Sequence, residues 1–515
     1  MSNVNSIYNI IKANITDGKL PEHFSLPVPE DRDQEIPFAD GAMDGIYIYH
    51  MEHTDMTEED KAQMAVAVSC LNRADYEGSD KELKKLGRMA SAIGSIDEMQ
   101  QYIRSHAHNP NDKPDPDNPG EIRLSLKNIC DIARRLIAES ENKESVKFGL
   151  LICEIFRSHP DQIKEVITTL GLSDEFTIFT VWNMLNWENG NSLIFDLIKK
   201  VRGWGRIHAL EQLQPETPEI RRWIFMEGVD NDVMPAYSAL TAWEKSDALD
   251  IIKSDLTTEE FHAAGFLMDA LLDEGPVAGI SALEEPEEAL SAYMDQAEKQ
   301  ELNINDYDTI LRIRNWASED RANIPSIMTR CENVLNTPTC KAMAASAVGE
   351  GKAYELAETL GIDYSKTLFE NMKNDFEKYH PQCFRLMEHE EYVDPVIQLF
   401  MEKLPLDEMK TGPTTSSGLG PEYSEYSKLL FIIQELSNYP GKGEELLAAG
   451  LNSPVVNNRF TSVRVLKDWT KITDKPIKQI SPMLHGELYK LPSHEPVPEI
   501  KSDILDLLRG KIFTE

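Results

Sequence analysis

An Ala-Leu pair in the middle of this chain recurs about every thirty residues, and this repeat constrains the fold more than any other feature. The pair Ala209-Leu210 recurs as Ala239-Leu240 and as Ala270-Leu271, at spacings of 30 and 31 residues. Self-similarity at this period is typical of stacked helical hairpins, because a single hairpin cannot bury its apolar face alone. The spacing therefore predicts a row of paired helices in this region.

Apolar residues follow a helical period along most of the chain, for example over 58–71 and 125–138. Thr57 and Asp60 form the pattern of an acidic capping box at the start of the first of these stretches. The only plausible strand is GIYIYH at 45–50, which could equally be an extended loop. We therefore expect an all-α protein, an irregular α-solenoid of stacked hairpins with a smaller N-terminal helical module.

Two segments interrupt the helical pattern. Residues 107–121 carry four prolines and no apolar run, so they are predicted to be a linker. The Gly-, Ser- and Thr-rich residues 411–421 are predicted to be a flexible loop. The expected organisation is an N-terminal module with a proline-rich acidic segment at 1–106, a repeat array at 122–410 and a C-terminal repeat segment at 422–515.

Several helical stretches resemble known repeat proteins. RIHALEQL at 206–213 and FTSVRVLKDW at 460–469 resemble the inner helices of HEAT-type repeats, and PETPEIRRW at 215–223 resembles a proline-started outer helix. This resemblance implies an α-solenoid whose concave face holds a protein partner. Residues 200–245 are also similar to bacterial proteins labelled limonene hydroxylase. That label implies an oxidative enzyme, but no catalytic motif accompanies it here.

The charge of the chain disfavours several classes of partner. Eighty-eight acidic and 52 basic residues give a formal charge of −36, which repels nucleic acid and anionic membrane surfaces. The first residues lack the basic and apolar regions of a secretory signal. The longest apolar runs, such as 429–433, are far shorter than a membrane span. We expect a cytoplasmic protein.

Motifs for cofactors and metals are lacking. The glycines of 412–418 have no following Lys-Ser or Lys-Thr, and no GxGxxG or GxSxG motif occurs, so no cofactor is expected. His106 and His108 have ligand-like spacing beside Asp112, Asp115 and Asp117, but solvated histidines are the favoured interpretation and no metal is expected. The six cysteines are scattered, and Cys130 and Cys153 are interpreted as reduced packing residues. The acidic run 284–288 is interpreted as the first turn of a helix opened by Pro286.

One basic stretch stands out in this acidic chain. Between residues 199 and 223 there are six basic and three acidic residues, a local charge of +3, and five of the seven tryptophans lie at 182–243. Arginine and tryptophan are enriched at binding hot spots. The candidate partner-binding residues are Arg202, Trp204, Arg206, His208, Arg221, Arg222 and Trp223.

Two interpretations of this stretch remain open. The arginines could pair with acidic residues of the next hairpin while the tryptophans fill the core between hairpins. Alternatively, the stretch binds an acidic peptide, a nucleotide-like anion or the chain's own acidic N-terminal segment. Two functions follow as hypotheses. One is a scaffold or adaptor for a protein or peptide partner, and the other is an enzyme of unknown reaction, oxidative or other, with a pocket between the N-terminal module and the array.

Overall fold

All regular elements in the described residues are helical. The computed structural model describes residues 4–27, 38–51, 55–108, 122–275 and 277–513, and only isolated β-bridges accompany the helices there. The all-α prediction is therefore confirmed. The chain divides into two compact units, Met1–Glu332 and Asn333–Glu515. The predicted boundaries at 106, 122, 410 and 421 stay predictions.

The N-terminal helices of the first unit pack directly on the helices that follow. The first five helices are α1 (Ile7–Ala13), α2 (Ala42–His50), α3 (Glu58–Asn72), α4 (Tyr76–Met89) and α5 (Ile96–Ser105). A capping box joins Thr57 and Asp60 at the start of α3, as predicted. Helix α3 packs on α6, α4 on α7, and α1 on both α6 and α8. The N-terminal helices and the start of the predicted array thus share one unit.

Within the described residues, twelve consecutive α-helices form the middle of the first unit. They are α6 (Leu126–Glu139), α7 (Lys143–Ile155), α8 (Asp161–Leu170), α9 (Asp174–Met184), α10 (Gly190–Ile198), α11 (Gly203–Gln212), α12 (Pro218–Glu227), α13 (Ala236–Ser246), α14 (Ala248–Ile252), α15 (Thr258–Leu271), α16 (Pro286–Ala297) and α17 (Ile304–Ser318). Helix α18 (Pro325–Leu335) contains the division between the two units.

The odd-numbered helices from α7 to α17 pack on one another in succession. Helices α7, α9, α11, α13, α15 and α17 form this series, which we call the central row. The small residues of the repeated pair, Ala209, Ala239 and Ala270, lie on three consecutive helices of the central row, and all three are buried. A small side chain allows close approach of a neighbouring helix. The arrangement is compatible with the predicted solenoid of stacked hairpins.

Residues 45–50 are helical, so the expectation of a strand or extended loop is wrong. They belong to α2, which begins after Gly41 in a left-handed conformation (φ 76°). Gly45 lies against the Trp204 ring, where a Cβ atom would collide. Packing against α11 therefore outweighs the strand propensity of the isoleucines and tyrosines in this segment.

The second unit is also helical. It contains α19 (Pro338–Gly349), α20 (Tyr354–Thr359), α21 (Ser365–Asn374), α22 (Phe376–Tyr379), α23 (Cys383–Met387), α24 (Glu390–Lys403), α25 (Leu406–Met409), α26 (Ser424–Glu435), α27 (Glu444–Leu451), α28 (Val456–Thr473), α29 (Ile477–Ile480), α30 (Pro482–Lys490) and α31 (Pro498–Leu508). Residues 411–420 are not helical. The Gly412 N–H donates to the oxygen of Asn452 at the end of α27, and Ser416 O accepts from the N–H of Val456 at the start of α28. Within the described part of the chain, no helix has both the length and the apolar character needed to cross a membrane.

Candidate functional site

The predicted binding stretch begins where α11 starts against an acidic side chain. Gly203 has a φ of 54°, and a Cβ there would collide with the carboxylate of Asp174. The backbone N–H groups of Trp204 and Gly205 donate to this carboxylate. These N–H groups have no partner inside the helix, so Asp174 on α9 satisfies the start of α11.

Trp204 and His208 lie beneath α2. Trp204 is 7% exposed and His208 is 1% exposed, and their rings stack with centroids 6.0 Å apart. Tyr49 of α2 and Tyr237 of α13 pack against the indole at 6.1 and 4.9 Å. No described residue forms a hydrogen bond with either ring nitrogen of His208. A partner could therefore touch these two candidates only after α2 moved.

Arg202 and Arg206 lie one helical turn apart at the start of α11, and both have acidic neighbours. Nη1 of Arg202 lies 3.1 Å from Glu22 and 3.3 Å from Asp232. Nη2 of Arg206 donates to the backbone oxygen of Glu227 at 2.9 Å and lies 3.8 Å from its carboxylate. The guanidinium group of Arg206 also lies over the ring of candidate Trp223, 5.2 Å from its centroid.

The remaining two arginine candidates are on α12. Arg221 pairs with Asp247, and Arg222 pairs with Glu260 at the start of α15. All four arginines thus lie beside carboxylates of other segments. This agrees with the first of the two interpretations, in which the arginines of the stretch form ion pairs within the fold. The structure does not bring the seven candidates together on one open surface.

A cavity of about 330 Å³ nevertheless lies at the start of α11. We call it the basic cavity. Its charged lining comprises five basic and three acidic residues: Lys19, Lys199, Lys200, Arg202, Arg206, Glu22, Asp40 and Asp174. Lys19 and Lys200 are exposed and form no ion pair with any described residue. Positive charge is therefore available at this cavity although the arginines are paired.

The Asp174 carboxyl has an unusual protonation state. Burial and the neighbouring negative charge of Asp40 together raise its pKa to about 8, against the effect of the two backbone N–H donors. At neutral pH this carboxyl is mostly protonated. It can then donate a hydrogen bond in the wall of the basic cavity.

A buried ionic cluster fastens the segment that precedes α3, and the sequence analysis did not identify it. Lys147 of α7 is 4% exposed, and its Nζ lies 2.7 Å from Asp44 of α2 and 2.8 Å from Glu175 of α9. The positive charges of Lys147 and Lys143 lower the pKa of Glu175 to about 2 although burial opposes this, whereas burial raises the pKa of Asp44. A lysine within the apolar run 146–153 was the one sequence signal for this cluster.

Further contacts hold the same segment. We call residues 19–27 and 38–50 the N-terminal arm. Lys143 lies 2.6 Å from Asp40, and the Gly41 N–H donates to Glu175 at 3.0 Å. At the end of α2, Tyr49 donates to Glu211, and His50 Nε2 lies 2.6 Å from the Tyr237 hydroxyl. The arm is thus bound to α7, α9, α11 and α13.

The other sequence candidates have local roles. Nδ1 of His106 lies 2.9 Å from Tyr102 O, and Nδ1 of His108 lies 2.9 Å from His106 O; Asp112, Asp115 and Asp117 fall outside the described residues. The described residues contain no group of three or more His, Cys, Asp or Glu able to hold a metal ion. All six cysteines are buried, and none forms a disulfide. Pro286 opens α16 as predicted, with Glu287 and Glu288 in its first turn, whereas Glu284 and Glu285 precede the helix.

Comparison of the chain with protein-family models, curated proteins and solved structures finds no match. The resemblances to HEAT repeats and to proteins labelled limonene hydroxylase therefore stay predictions.

Proposed function

We propose that this protein is a cytoplasmic helical-repeat scaffold or adaptor that binds an acidic segment of a protein partner at the basic cavity. The observation that carries the proposal is the excess of basic side chains around this cavity in a chain with a formal charge of −36. A local positive potential in an acidic molecule selects and orients an acidic ligand.

The dimensions and chemistry of the cavity suit carboxylate side chains. A volume of about 330 Å³ is at the small end of the range of ligand pockets. Lys19 and Lys200 supply ammonium groups, and the protonated Asp174 supplies a neutral donor that does not repel a carboxylate. The pairing of Arg202 with Glu22 of the arm is an example of the contact that a partner's glutamate would make.

The test uses exposed lysines, because their loss leaves the fold intact. A fluorescein-labelled hexaglutamate peptide is titrated with the protein, and binding is followed by fluorescence anisotropy. We expect Lys19→Ala/Lys200→Ala to weaken binding by about tenfold or more, since two charge contacts are removed. Arg206→Ala is a poorer variant because this side chain is mostly buried and packs on Trp223.

The matched control removes two exposed lysines from the second unit, Lys366→Ala/Lys478→Ala. It causes the same change in net charge, so equal losses of affinity in both double variants would mean that only the overall charge matters. Equal losses, or a wild-type protein that does not bind hexaglutamate, contradict the proposal. Binding that is retained by the control and lost in the cavity variant supports it.

A second candidate function, an enzyme, has one observation in its favour. The pKa of Asp174, raised to about 8, is typical of a general acid, and such shifts cluster at functional sites. Purified protein that carries a chromophore or a bound metal would favour this function over the scaffold.

A further inference from the structure

A second polar surface lies where α5, α7 and α9 come together. Two adjoining cavities of about 380 and 600 Å³ share the side chain of Gln100. We call them together the amide groove. It has no residue in common with the basic cavity.

A central carboxylate orients two amide side chains in this groove. Glu154 accepts from Gln100 Nε2 at 2.5 Å and from Asn186 Nδ2 at 3.1 Å. Gln100 is only 9% exposed, and its nitrogen also lies 3.3 Å from Leu151 O. Since both amide nitrogens are used in this way, the two amide oxygens remain as acceptors. No described residue donates to either oxygen.

Trp182 adds a donor and an aromatic surface. Its ring meets Phe179 edge-on with centroids 5.6 Å apart, and the ring remains partly exposed in the groove. Its indole N–H has no acceptor among the described residues. Leu185, 45% exposed, lies beside it. Gln100, Asn186 and Trp182 therefore present two acceptors and one donor to the groove, beside an apolar patch.

This set of groups is complementary to an extended polypeptide. Each residue of an extended chain offers one N–H and one C=O, and it turns side chains alternately toward and away from the surface below. The amide oxygens of Gln100 and Asn186 can accept backbone N–H groups, and the indole of Trp182 can donate to a backbone carbonyl.

The charges of the groove favour a basic side chain on that peptide. Glu154 and Asp97 supply two carboxylates, and Arg104 is the only cation among the lining residues. Nη2 of Arg104 lies 3.8 Å from Glu154, which is too far for a hydrogen bond. A lysine or arginine of a ligand could replace Arg104 beside Glu154 and lie over the face of Trp182.

We propose that the amide groove binds an extended peptide segment that carries a lysine or arginine side chain. The peptide's cation lies between Glu154 and Trp182, and its backbone bonds to Gln100 and Asn186. This site is separate from the proposed acidic-peptide site, and neither proposal depends on the other.

The test uses two fluorescein-labelled heptapeptides, GAKAKAG and GAEAEAG, whose binding is followed by anisotropy. We expect the wild type to bind the lysine peptide about tenfold or more tightly than the glutamate peptide. Glu154→Gln and Trp182→Ala should each weaken binding of the lysine peptide by about tenfold, since each removes one contact to its cation. Arg104→Ala should instead strengthen it by about threefold or more, because the competing cation is gone.

The Arg104→Ala variant makes the test independent of folding, since this side chain is exposed and the expected effect is a gain. The control Glu408→Gln removes one exposed carboxylate from the second unit. The proposal is wrong if GAKAKAG does not bind, if Glu408→Gln weakens binding as much as Glu154→Gln, or if Arg104→Ala brings no gain. Lys19→Ala/Lys200→Ala should lose hexaglutamate and keep GAKAKAG, which separates failure of this site from failure of the basic cavity.

Discussion

Replacing Lys147 by methionine should destabilise the first unit strongly. The substitution keeps most of the volume of the side chain but removes the one ammonium group between Asp44 and Glu175. Two carboxylates would then face each other in a buried site, with Lys143, 3.8 Å from Glu175, as the remaining neighbouring cation. Loss of one partner from a buried ionic cluster costs about 3–5 kcal/mol.

The lowered pKa of Glu175 gives a second value, the free energy by which its surroundings stabilise the ionised carboxylate. Its pKa of about 2, compared with an ordinary value of 4.5, corresponds to about 3 kcal/mol, since each pKa unit is worth about 1.4 kcal/mol. Lys147 is the largest source of this stabilisation, and Lys143 and the Gly41 N–H supply the rest. A group with a lowered pKa stabilises the fold above its ordinary pKa, and this stabilisation is lost as the pH falls toward the lowered value. The wild type should therefore lose this contribution between pH 4.5 and about 2.

The variant should respond to pH in the opposite direction. Without Lys147, burial favours the protonated forms of Asp44 and Glu175, so the pKa of each carboxyl rises. Groups with raised pKa values destabilise the fold as the pH increases through those values. The difference in stability between wild type and Lys147→Met should thus be largest near pH 7 and become smaller toward pH 5.

Urea unfolding followed by tryptophan fluorescence measures this difference, because six of the seven tryptophans are in the first unit. The control is Lys12→Met, which breaks an exposed ion pair with Glu165 and should change the midpoint little. A decrease in the free energy of unfolding of less than about 1 kcal/mol for Lys147→Met would refute the reasoning. Removing a buried cation that neutralises two carboxylates should cost more than that.

Two further predictions concern single buried groups. Asp174→Asn should stabilise the protein increasingly as the pH rises from about 4 to 8, because the raised pKa of Asp174 means that its ionisation in this range opposes folding; thermal midpoints across this range test it, and a gain that does not change with pH contradicts it. Arg459→Ala should destabilise the second unit by about 3–5 kcal/mol, because it leaves the fully buried Glu495 carboxylate without its cation. Arg459→Lys should restore little, since an ammonium group cannot replace the guanidinium bonds to Glu495, Ser453, Pro454 and Thr414. The emission of Trp469, the one tryptophan of that unit, reports the urea midpoint, and an unchanged midpoint would contradict this prediction.

Helices were predictable from the sequence wherever their signals are local. The stripes at 58–71 and 125–138 correspond to α3 (Glu58–Asn72) and α6 (Leu126–Glu139) within one residue at each end. Periodicity and capping act between residues three or four apart, so they are visible in the sequence. Helix α2 was missed because its isoleucines and tyrosines suit a strand, whereas the Trp204 ring on which Gly45 packs belongs to the remote helix α11.

The candidate site was only partly predictable because its contacts are remote in sequence. Pairing of arginines with acidic residues of a following hairpin was one of the two interpretations, and Arg221 and Arg222 pair in this way with Asp247 and Glu260. Arg202 pairs with Glu22, 180 residues away, and no local pattern indicates which carboxylate an arginine meets. Sequence reasoning could name the basic stretch but could not place α2 over it.

The N-terminal arm connects the stability of the first unit with the proposed binding of acidic peptides. It contributes Lys19, Glu22 and Asp40 to the lining of the basic cavity, and the Lys147 cluster holds it on α7 and α9. Loosening that cluster should therefore weaken hexaglutamate binding even under conditions in which Lys147→Met remains folded. Binding of GAKAKAG should not change, because the amide groove uses no residue of the arm. If Lys147→Met weakened the binding of both peptides equally, loosening the arm would disturb the structure of the whole first unit and not the basic cavity alone.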